Sequence, residues 1–196
     1  MIRRKDFKMT LRTKMNKLNS VLEDEAFSRT WDAILQDIAE DIANVWYNGG
    51  KVIVAGNGGS ASQAEHFSAE LLGRFKAEKA PIPVVCLNSN MAAITAIAND
   101  YGYEKIFSKQ LDALGEEQDI LILFSTSGHS PNILKAAVMG DFIGATVISF
   151  TGASPSNELV TYSDQNIRVD SVETDVIQEA HMIFIHTICE YLEAER

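Results

Sequence analysis

Two loops rich in glycine and hydroxyl residues offer the clearest chemistry in this sequence. Residues 56–60 (Gly-Asn-Gly-Gly-Ser) follow the apolar run 52–55, and residues 125–130 (Ser-Thr-Ser-Gly-His-Ser) follow the apolar run 120–124. Such a loop between a buried strand and a helix presents backbone N–H groups and hydroxyls where the helix dipole is positive. The two loops therefore suit a phosphate ester.

The loops do not match the known nucleotide-binding fingerprints. The first lacks the G-x-G-x-x-G spacing, and no Gly-Lys-Ser/Thr follows either loop. A nucleoside triphosphate is therefore not expected.

A histidine and a carboxylate follow the first loop at helical spacing. His66 and Glu70 are four residues apart on a helix predicted to begin at Ser60, so they stack on one face. An imidazole and a carboxylate placed in this way could bind one metal ion or act as an acid/base pair. A solvated pair has the same spacing, and only the position after a phosphate-type loop favours a functional role.

The last predicted helix carries Asp175, Gln178, His181 and His186. Gln178 and His186 are two turns apart, about 12 Å along the axis at 1.5 Å per residue. They could reach one ion by converging from opposite ends, or one of them could serve a neighbouring site. We expect His181 to make a structural hydrogen bond, and for His186 considered alone a structural role is also the favoured interpretation.

Three further polar features have simple structural interpretations. Residues 99–103 (Asn-Asp-Tyr-Gly-Tyr) form a polar break, with Asp100 as a helix N-cap and Gly102 in a tight turn. Arg74 could pair with a carboxylate or a phosphate. We expect Lys135 to be solvated.

Composition excludes several classes of protein. The 196 residues carry a formal net charge of −10, which argues against nucleic-acid binding because that requires a basic patch. No apolar run approaches the ~20 residues of a membrane span. The basic start, residues 1–6, has no apolar core behind it, so a secretory signal is not expected. Cys86 and Cys189 are predicted to be buried free thiols, which fits the cytoplasm.

Five apolar runs predict a parallel sheet with both faces covered. The predicted strands are residues 51–56, 83–87, 119–124, 145–150 and 165–169. The predicted helices among them are residues 60–73, 90–98, 104–114, 131–139, 154–162 and 173–194. This is an α/β, doubly wound, five-stranded parallel sheet. With a flavodoxin-like order 2-1-3-4-5, strands one and three are neighbours at the switch point, and the two loops open into one crevice.

Two amphipathic helices are predicted ahead of the sheet. Apolar residues recur at helical spacing from Lys5 to Leu22 and from Trp31 to Trp46, and residues 48–50 (Asn-Gly-Gly) end the second helix. Their apolar faces are wide for a covering layer, so part of them could meet another subunit. We predict one domain over 1–196, with a helical pair in 1–50 and an α/β sandwich in 51–196.

Taken together, the motifs resemble the phosphoheptose isomerases of the sugar isomerase (SIS) domain family over almost the whole chain. The segments that carry the resemblance are residues 56–61, 66–71, 73–75, 99–103, 125–128 and 177–179, together with His186. The resemblance implies a cytoplasmic homotetramer with active sites between subunits. It also implies conversion of sedoheptulose 7-phosphate to D-glycero-D-manno-heptose 7-phosphate, the first step towards nucleotide-activated heptose.

The resemblance also implies residue roles. The residues implied to line the sugar are Asn57, Gly58, Gly59 and Ser60, and those implied to hold the phosphate are Ser125, Thr126, Ser127 and Ser130. Further substrate contacts are implied for Asn99, Asp100, Asp175 and Gln178. One zinc ion per subunit is implied at His66, Glu70, Gln178 and His186. Glu70 matches the catalytic base, which also contacts the substrate, and His186 matches the acid.

An enediol mechanism needs these two groups. Moving a proton between C1 and C2 requires a carboxylate near the carbon-bound proton and an acid near the carbonyl oxygen, and a zinc ion could polarise the carbonyl or order the site.

Two departures from the family stand out. His129 stands where the family usually has Asn and could tune phosphate affinity or pH response, and no Gly-Gly pair follows residues 151–152.

Two alternative functions share this fold. One is a non-enzymatic relative that associates with the bacterial replication initiator, and it lacks the groups that match Glu70 and His186. The other is isomerisation of a different sugar phosphate.

Overall fold

A five-stranded, all-parallel sheet organises the part of the chain that the structure describes. The computed structural model describes residues 10–23 and 25–194. The strands are β1 (Val52–Gly56), β2 (Val84–Cys86), β3 (Ile120–Ser125), β4 (Thr146–Gly152) and β5 (Gln165–Val169). Their order is β2-β1-β3-β4-β5, which confirms the predicted doubly wound sheet. Gly56 pairs with Phe124, so β1 and β3 end side by side.

Seven α-helices cover the two faces of this sheet within the described residues. They are α1 (Thr10–Leu22), α2 (Glu25–Tyr47), α3 (Gly59–Leu72), α4 (Met91–Tyr101), α5 (Ser108–Leu114), α6 (Pro131–Ile143) and α7 (Thr174–Ala194). One buried cluster joins the sheet to α2, α3 and α7, and the other joins it to α5 and α6. The alternation of side chains along each strand creates this division. In β1, Val52 and Val54 face the first cluster, whereas Ile53 and Ala55 face the second.

The leading helices pack mainly on α7. Lys14 lies 2.7 Å from the Asp175 carboxylate, and Lys17 lies 2.6 Å from Glu173. The second helix ends as predicted, because Gly49 has φ +86° and the Gly50 amide donates to the Val45 carbonyl. Residues 5–9 of the predicted first helix lie outside the described residues.

The predicted helix at 154–162 is wrong. Only a short 3₁₀ helix, Leu159–Tyr162, forms there. The Ser154 hydroxyl accepts a hydrogen bond from the Ser156 amide, and Asn157 donates to the Thr151 hydroxyl. Such side-chain bonds compete with helical ones.

The predicted helix at 104–114 is divided in two. A 3₁₀ helix covers Tyr103–Lys105, and α5 begins only at Ser108. The backbone between them keeps right-handed helical angles at Ile106 and Phe107. The hydrogen-bonding pattern therefore changes while the chain direction is kept.

Helix α4 runs three residues beyond its predicted end at residue 98 and stops at Tyr101. The proposed N-cap at Asp100 is therefore wrong, because Asp100 lies in the last turn of α4. The cap of this helix is Asn90, whose side chain accepts from the Ala93 amide. The predicted turn at Gly102 is confirmed by its φ of +93°.

Helix α6 continues past its predicted end at residue 139 to Ile143. Gly140 lies inside this helix, against the sheet. A larger residue would be crowded at this position, because an added Cβ would lie 2.7 Å from the Leu121 side chain. Gly144, at φ +82°, ends the helix in the left-handed conformation.

Both cysteines are buried and free, as predicted. Burial raises the pKa of the Cys189 thiol to about 12, and the nearby Glu70 carboxylate adds to this effect. Both thiols are therefore unreactive packing groups. Among residues 10–23 and 25–194, no helix has the length and apolar character needed to cross a bilayer.

Candidate active site

The two polar loops line one cavity of about 180 Å³ at the carboxyl ends of β1 and β3. Its lining consists of Asn57, Gly59, Ser60, Phe124, Ser125, Thr126, Ser127, Ser130, Thr174 and Gln178. This confirms the prediction that the loops open into the same crevice. The sheet order explains this shared crevice, because β1 and β3 are adjacent and parallel, so the loops that follow them leave the sheet at the same edge.

A glycine with positive φ shapes each loop. Gly58 (φ +56°) leads into α3, and Gly128 (φ +67°) precedes α6. The Gly128 amide donates to Ser125 Oγ at 3.1 Å. The Ser130 hydroxyl makes no capping bond to α6, so it is free to bind a ligand. Two helix N-termini and several hydroxyls thus face one small polar cavity, which suits a phosphate.

Three residues that sequence reasoning missed fix the first loop. Asn57 and Asn132 exchange two amide hydrogen bonds of 2.8 Å each, and the Tyr103 hydroxyl donates to Asn57 Oδ1 at 3.2 Å. Asn88 bonds both the amide and the carbonyl of Gly56. Two signals were available: Tyr103 lies in the segment 99–103, and Asn132 follows the second loop and Pro131 at the start of a helix.

A second cavity of about 410 Å³ adjoins the first through Gly59 and Gln178. It is lined by Gly59, Ser62, Gln63, His66, Asp175, Gln178, Glu179 and Met182. Gly59 and Gln178 are in close contact, because a Cβ added to Gly59 would lie 2.5 Å from Gln178 Nε2. Gln63 also donates to the Gln178 carbonyl at 2.8 Å.

The predicted acid/base residues meet beside this second cavity, which His66 lines. His66 Nε2 lies 3.0 Å from His186 Nε2 and 3.5 Å from Glu70 Oε1. A hydrogen bond between the two Nε2 atoms requires one to carry hydrogen and the other to be bare. The His66–Glu70 pair predicted from the sequence is therefore formed, and His186 of α7 joins it.

The donor types in this cluster fit zinc. Two nitrogen ligands 2.0–2.1 Å from one tetrahedral ion lie about 3.4 Å apart, close to the 3.0 Å between His66 and His186. Glu70 adds a carboxylate beside His66. Within residues 10–23 and 25–194, no group of three or more His, Cys, Asp or Glu side chains is placed so that it could hold a metal ion. A metal ion at this cluster would therefore need a further donor, such as Gln178, which lines the same cavity as His66.

Several predicted residues lie away from the small cavity. Asn99 and Asp100 are exposed on α4, where Asn99 donates to Asp100 at 2.7 Å. Asp175 lines the larger cavity, and the hydrogen bond from Lys14 lowers the pKa of its carboxyl. His129 is exposed, with Nδ1 3.3 Å from Ser156 Oγ.

The other polar predictions concern surface pairs. Arg74 contacts the Glu78 carboxylate at 3.7 Å, so it does pair with a carboxylate. Lys135 is half-exposed and lies 3.4 Å from Glu104. Both pairs are solvated and contribute little to stability.

His181 is a structural histidine, as predicted. It is fully buried between Phe124 and Phe150, and its Nε2 lies 3.3 Å from the Thr151 carbonyl. Burial lowers its pKa to about 4, while the Thr151 hydrogen bond opposes the change. His181 therefore stays neutral at physiological pH.

Comparison with known proteins shows the family to which the chain belongs. A family model described as SIS domain matches residues 15–152. The phosphoheptose isomerase of Shewanella sediminis is 45% identical over 157 residues, which are 79% of this chain and 80% of the relative. The phosphoheptose isomerase of Thermodesulfovibrio yellowstonii is 43% identical over 174 residues, covering 89% and 86% of the two chains.

Solved structures agree with these relatives. A phosphoheptose isomerase from Francisella tularensis superimposes with a TM-score of 0.78 at 36% identity, covering 92% of this chain and 98% of that one. The phosphoheptose isomerase of Neisseria gonorrhoeae gives a TM-score of 0.80 at 32% identity, covering 93% and 94%. The chain therefore belongs to the SIS domain family and, within it, to the phosphoheptose isomerases.

Proposed function

We propose that this sugar-phosphate isomerase converts sedoheptulose 7-phosphate to D-glycero-D-manno-heptose 7-phosphate through an enediol, using Glu70 as the base and His186 as the acid. One observation carries the proposal: a small hydroxyl-lined cavity adjoins a larger cavity that contains His66, with Glu70 and His186 beside it. The small cavity would hold the phosphate through Ser125, Thr126, Ser127 and Ser130. The sugar carbons would then extend past Gln178 towards the histidines.

Proton transfer follows from the positions of the cluster. The Glu70 carboxylate would take the proton from C1 of the ketose, and the enediol would be reprotonated at C2. His186 would donate to the carbonyl oxygen and recover a proton from the hydroxyl of the other carbon. Hydrogen-bond contact with His66 holds the His186 ring in one orientation.

The remaining substrate contacts belong to the same proposal. The sugar hydroxyls would meet Asn57, Gly58, Gly59 and Ser60 in the first loop. Asp175 and Gln178 would contact the chain of carbons where the two cavities join. Asn99 and Asp100 would contact substrate from the exposed end of α4.

We also propose one zinc ion per subunit, held by His66, Glu70, Gln178 and His186. The two imidazoles and the carboxylate are of the ligand types that zinc binds, and the 3.0 Å between the two imidazole nitrogens supports the assignment. When bound, the ion would supply Lewis-acid polarisation of the substrate carbonyl.

A cytoplasmic homotetramer with active sites between subunits is the proposed assembly. The apolar helix α4 contains no buried residue, and Met91 on it is 65% exposed. On α1, Leu11 is 73% exposed. Such apolar surfaces suit contacts with further copies of the chain. The buried free thiols suit a reducing compartment.

The proposed function is tested by turnover of purified protein with sedoheptulose 7-phosphate, with fructose 6-phosphate and arabinose 5-phosphate as competitors. Assays with a chelator and with added zinc, beside metal analysis, test the ion. Light scattering tests the tetramer. Preferred turnover of the seven-carbon ketose is the expected result. Turnover of only the shorter sugars, or none at all, would refute the assignment.

A further inference from the structure

The segment after α3 is fixed to the end of α7 by one carboxylate. Glu193 accepts hydrogen bonds from the amides of Phe75 (2.9 Å), Lys76 (3.1 and 3.2 Å) and Ala77 (3.0 Å). Burial raises the pKa of Glu193, but these amide bonds outweigh it and hold the pKa below its ordinary value. Glu193 is therefore ionised at neutral pH, and its bonds to the three amides are charge-assisted.

This attachment places an aromatic ring on the proposed acid. The ring of Phe75 stacks on His186, with centroids 5.0 Å apart and an interplanar angle of 19°. Residues 186 and 193 are seven apart on α7, so they project from the same face two turns apart. The amides of residues 75–77 lie at Glu193, and the Phe75 side chain contacts His186 two turns away.

The His186 ring is thus fixed from two directions. Phe75 covers its face, and His66 meets it edge-on with the two Nε2 atoms 3.0 Å apart. Stacking on a flat ring restricts tilting, whereas the hydrogen bond restricts rotation in the ring plane. A displacement of about 1 Å in a reacting group can lower a rate about 100-fold.

We infer that Glu193 and Phe75 are positioning residues for His186: the carboxylate holds the 75–77 turn, and the turn holds the ring that orients the imidazole. Neither residue touches the reacting atoms. The inference rests on the proposed function for its effect on rate. The geometry of the imidazole itself can be measured without turnover.

Kinetics of four variants test the effect on rate. We expect Glu193→Ala and Phe75→Leu each to lower kcat about tenfold or more. KM should change less than about twofold, because the phosphate cavity is built from other elements. Phe75→Tyr keeps the stacked ring and should retain kcat. Glu190→Gln is the matched control, because Glu190 pairs with the Lys76 ammonium in the same turn but binds none of its amides.

If Glu193 acts through the Phe75 ring, the effects of substituting these two residues must also be coupled. Since both act through one ring, the double variant Glu193→Ala/Phe75→Leu should be no slower than the slower single variant. Thermal unfolding of each variant shows whether the enzyme is folded at the assay temperature. Effects on kcat that multiply in the double variant would contradict a single route to His186.

Histidine NMR tests the geometry directly. The sequence has four histidines, so labelled histidine gives few ring signals, and His186→Gln assigns one of them. The stacked Phe75 ring should shift the His186 ring protons upfield. This shift should disappear in Phe75→Leu and Glu193→Ala but persist in Phe75→Tyr and Glu190→Gln.

The outcomes separate the two proposals. An unmoved His186 signal in Glu193→Ala overturns the positioning role, whatever the substrate. A moved signal with unchanged kcat also overturns it. Absence of wild-type turnover with the heptose phosphate counts against the proposed function and leaves the NMR test in force.

Discussion

The contact between His66 and His186 determines much of the proposed chemistry. Their Nε2 atoms lie 3.0 Å apart, so only one of the two can carry hydrogen at that position. The pair therefore shares one hydrogen beside Glu70. That arrangement suits a reaction in which a proton leaves one carbon and another reaches an oxygen.

Replacing the proposed base tests this arrangement at a single residue. Glu70→Gln keeps the size and hydrogen-bonding capacity of the side chain but removes the basic oxygen. We expect kcat to fall about 100- to 10,000-fold, the range for loss of general base catalysis. The side chain is partly exposed, so the thermal midpoint should change little. Steady-state kinetics and thermal unfolding measure both quantities.

Glu65→Gln is the matched control for that substitution. Glu65 lies on the same helix, α3, and its side chain is exposed. The Glu65→Gln substitution removes the same charge outside the cluster of His66, Glu70 and His186, so activity should remain near that of the wild type. Equal activity of the two variants would remove Glu70 from the role of base.

At the scale of elements, the small cavity is made by two strand-to-helix connections that are locked together. The reciprocal amide pair of Asn57 and Asn132 joins the loop before α3 to the first turn of α6. Asn132 is 2% exposed, so these bonds are shielded from water. The two helix N-termini thus keep a fixed separation before any ligand binds, which lowers the entropic penalty of binding a phosphate.

The second loop depends on the conformation of Gly128. At φ +67°, an added Cβ would be strained and would overlap Asn157 Oδ1. Gly128→Ala should therefore displace the amides and hydroxyls of residues 125–128. We expect KM for the sugar phosphate to rise about tenfold, which corresponds to about 1.4 kcal/mol. The effect on kcat should be smaller, because the acid/base cluster lies beside the other cavity, which His66 lines.

Gly49→Ala separates backbone strain from loss of the phosphate site. Gly49 has φ +86°, and a Cβ there meets nothing within 4 Å. This variant should lose about 1 kcal/mol of stability while keeping KM unchanged. A similar rise of KM in both variants would show that general destabilisation, not the loop, controls substrate affinity.

At the scale of the whole molecule, the sheet was predictable because its strands are nearly continuous apolar runs. The loops were predictable for a related reason, since residues after β1 and β3 must leave the same edge once the order is known. Contacts that depend on relative helix positions were not predictable. The 75–77 turn reaches Glu193 across more than one hundred residues of sequence. The helix predicted at 154–162 does not form because the side chains of Ser154 and Asn157 make hydrogen bonds to nearby residues instead.

Acid stability provides a test that involves the entire fold. The pKa of His181 is about 4 in the folded state because of burial, against 6.5 for an ordinary histidine. Between these values the unfolded chain binds a proton that the folded chain does not. The free energy of unfolding therefore rises with pH across this window and levels off above it. From pH 7 to pH 5, this one group should lower stability by about 2 kcal/mol.

The structure explains why protonation is unfavourable. His181 Nε2 donates to the Thr151 carbonyl, and its buried Nδ1 has no partner among the described residues. A second proton on Nδ1 would place an unpaired charged donor among Phe124 and Phe150.

His181→Gln keeps a donor near the Nε2 position but cannot titrate in this range. Denaturant unfolding at several pH values between 5 and 7 should therefore show a weaker pH dependence for His181→Gln than for the wild type. His129→Asn, at an exposed histidine, serves as control and should keep the wild-type dependence. Equal pH slopes for the wild type and His181→Gln would mean that the buried imidazole is not the group that links this fold to pH.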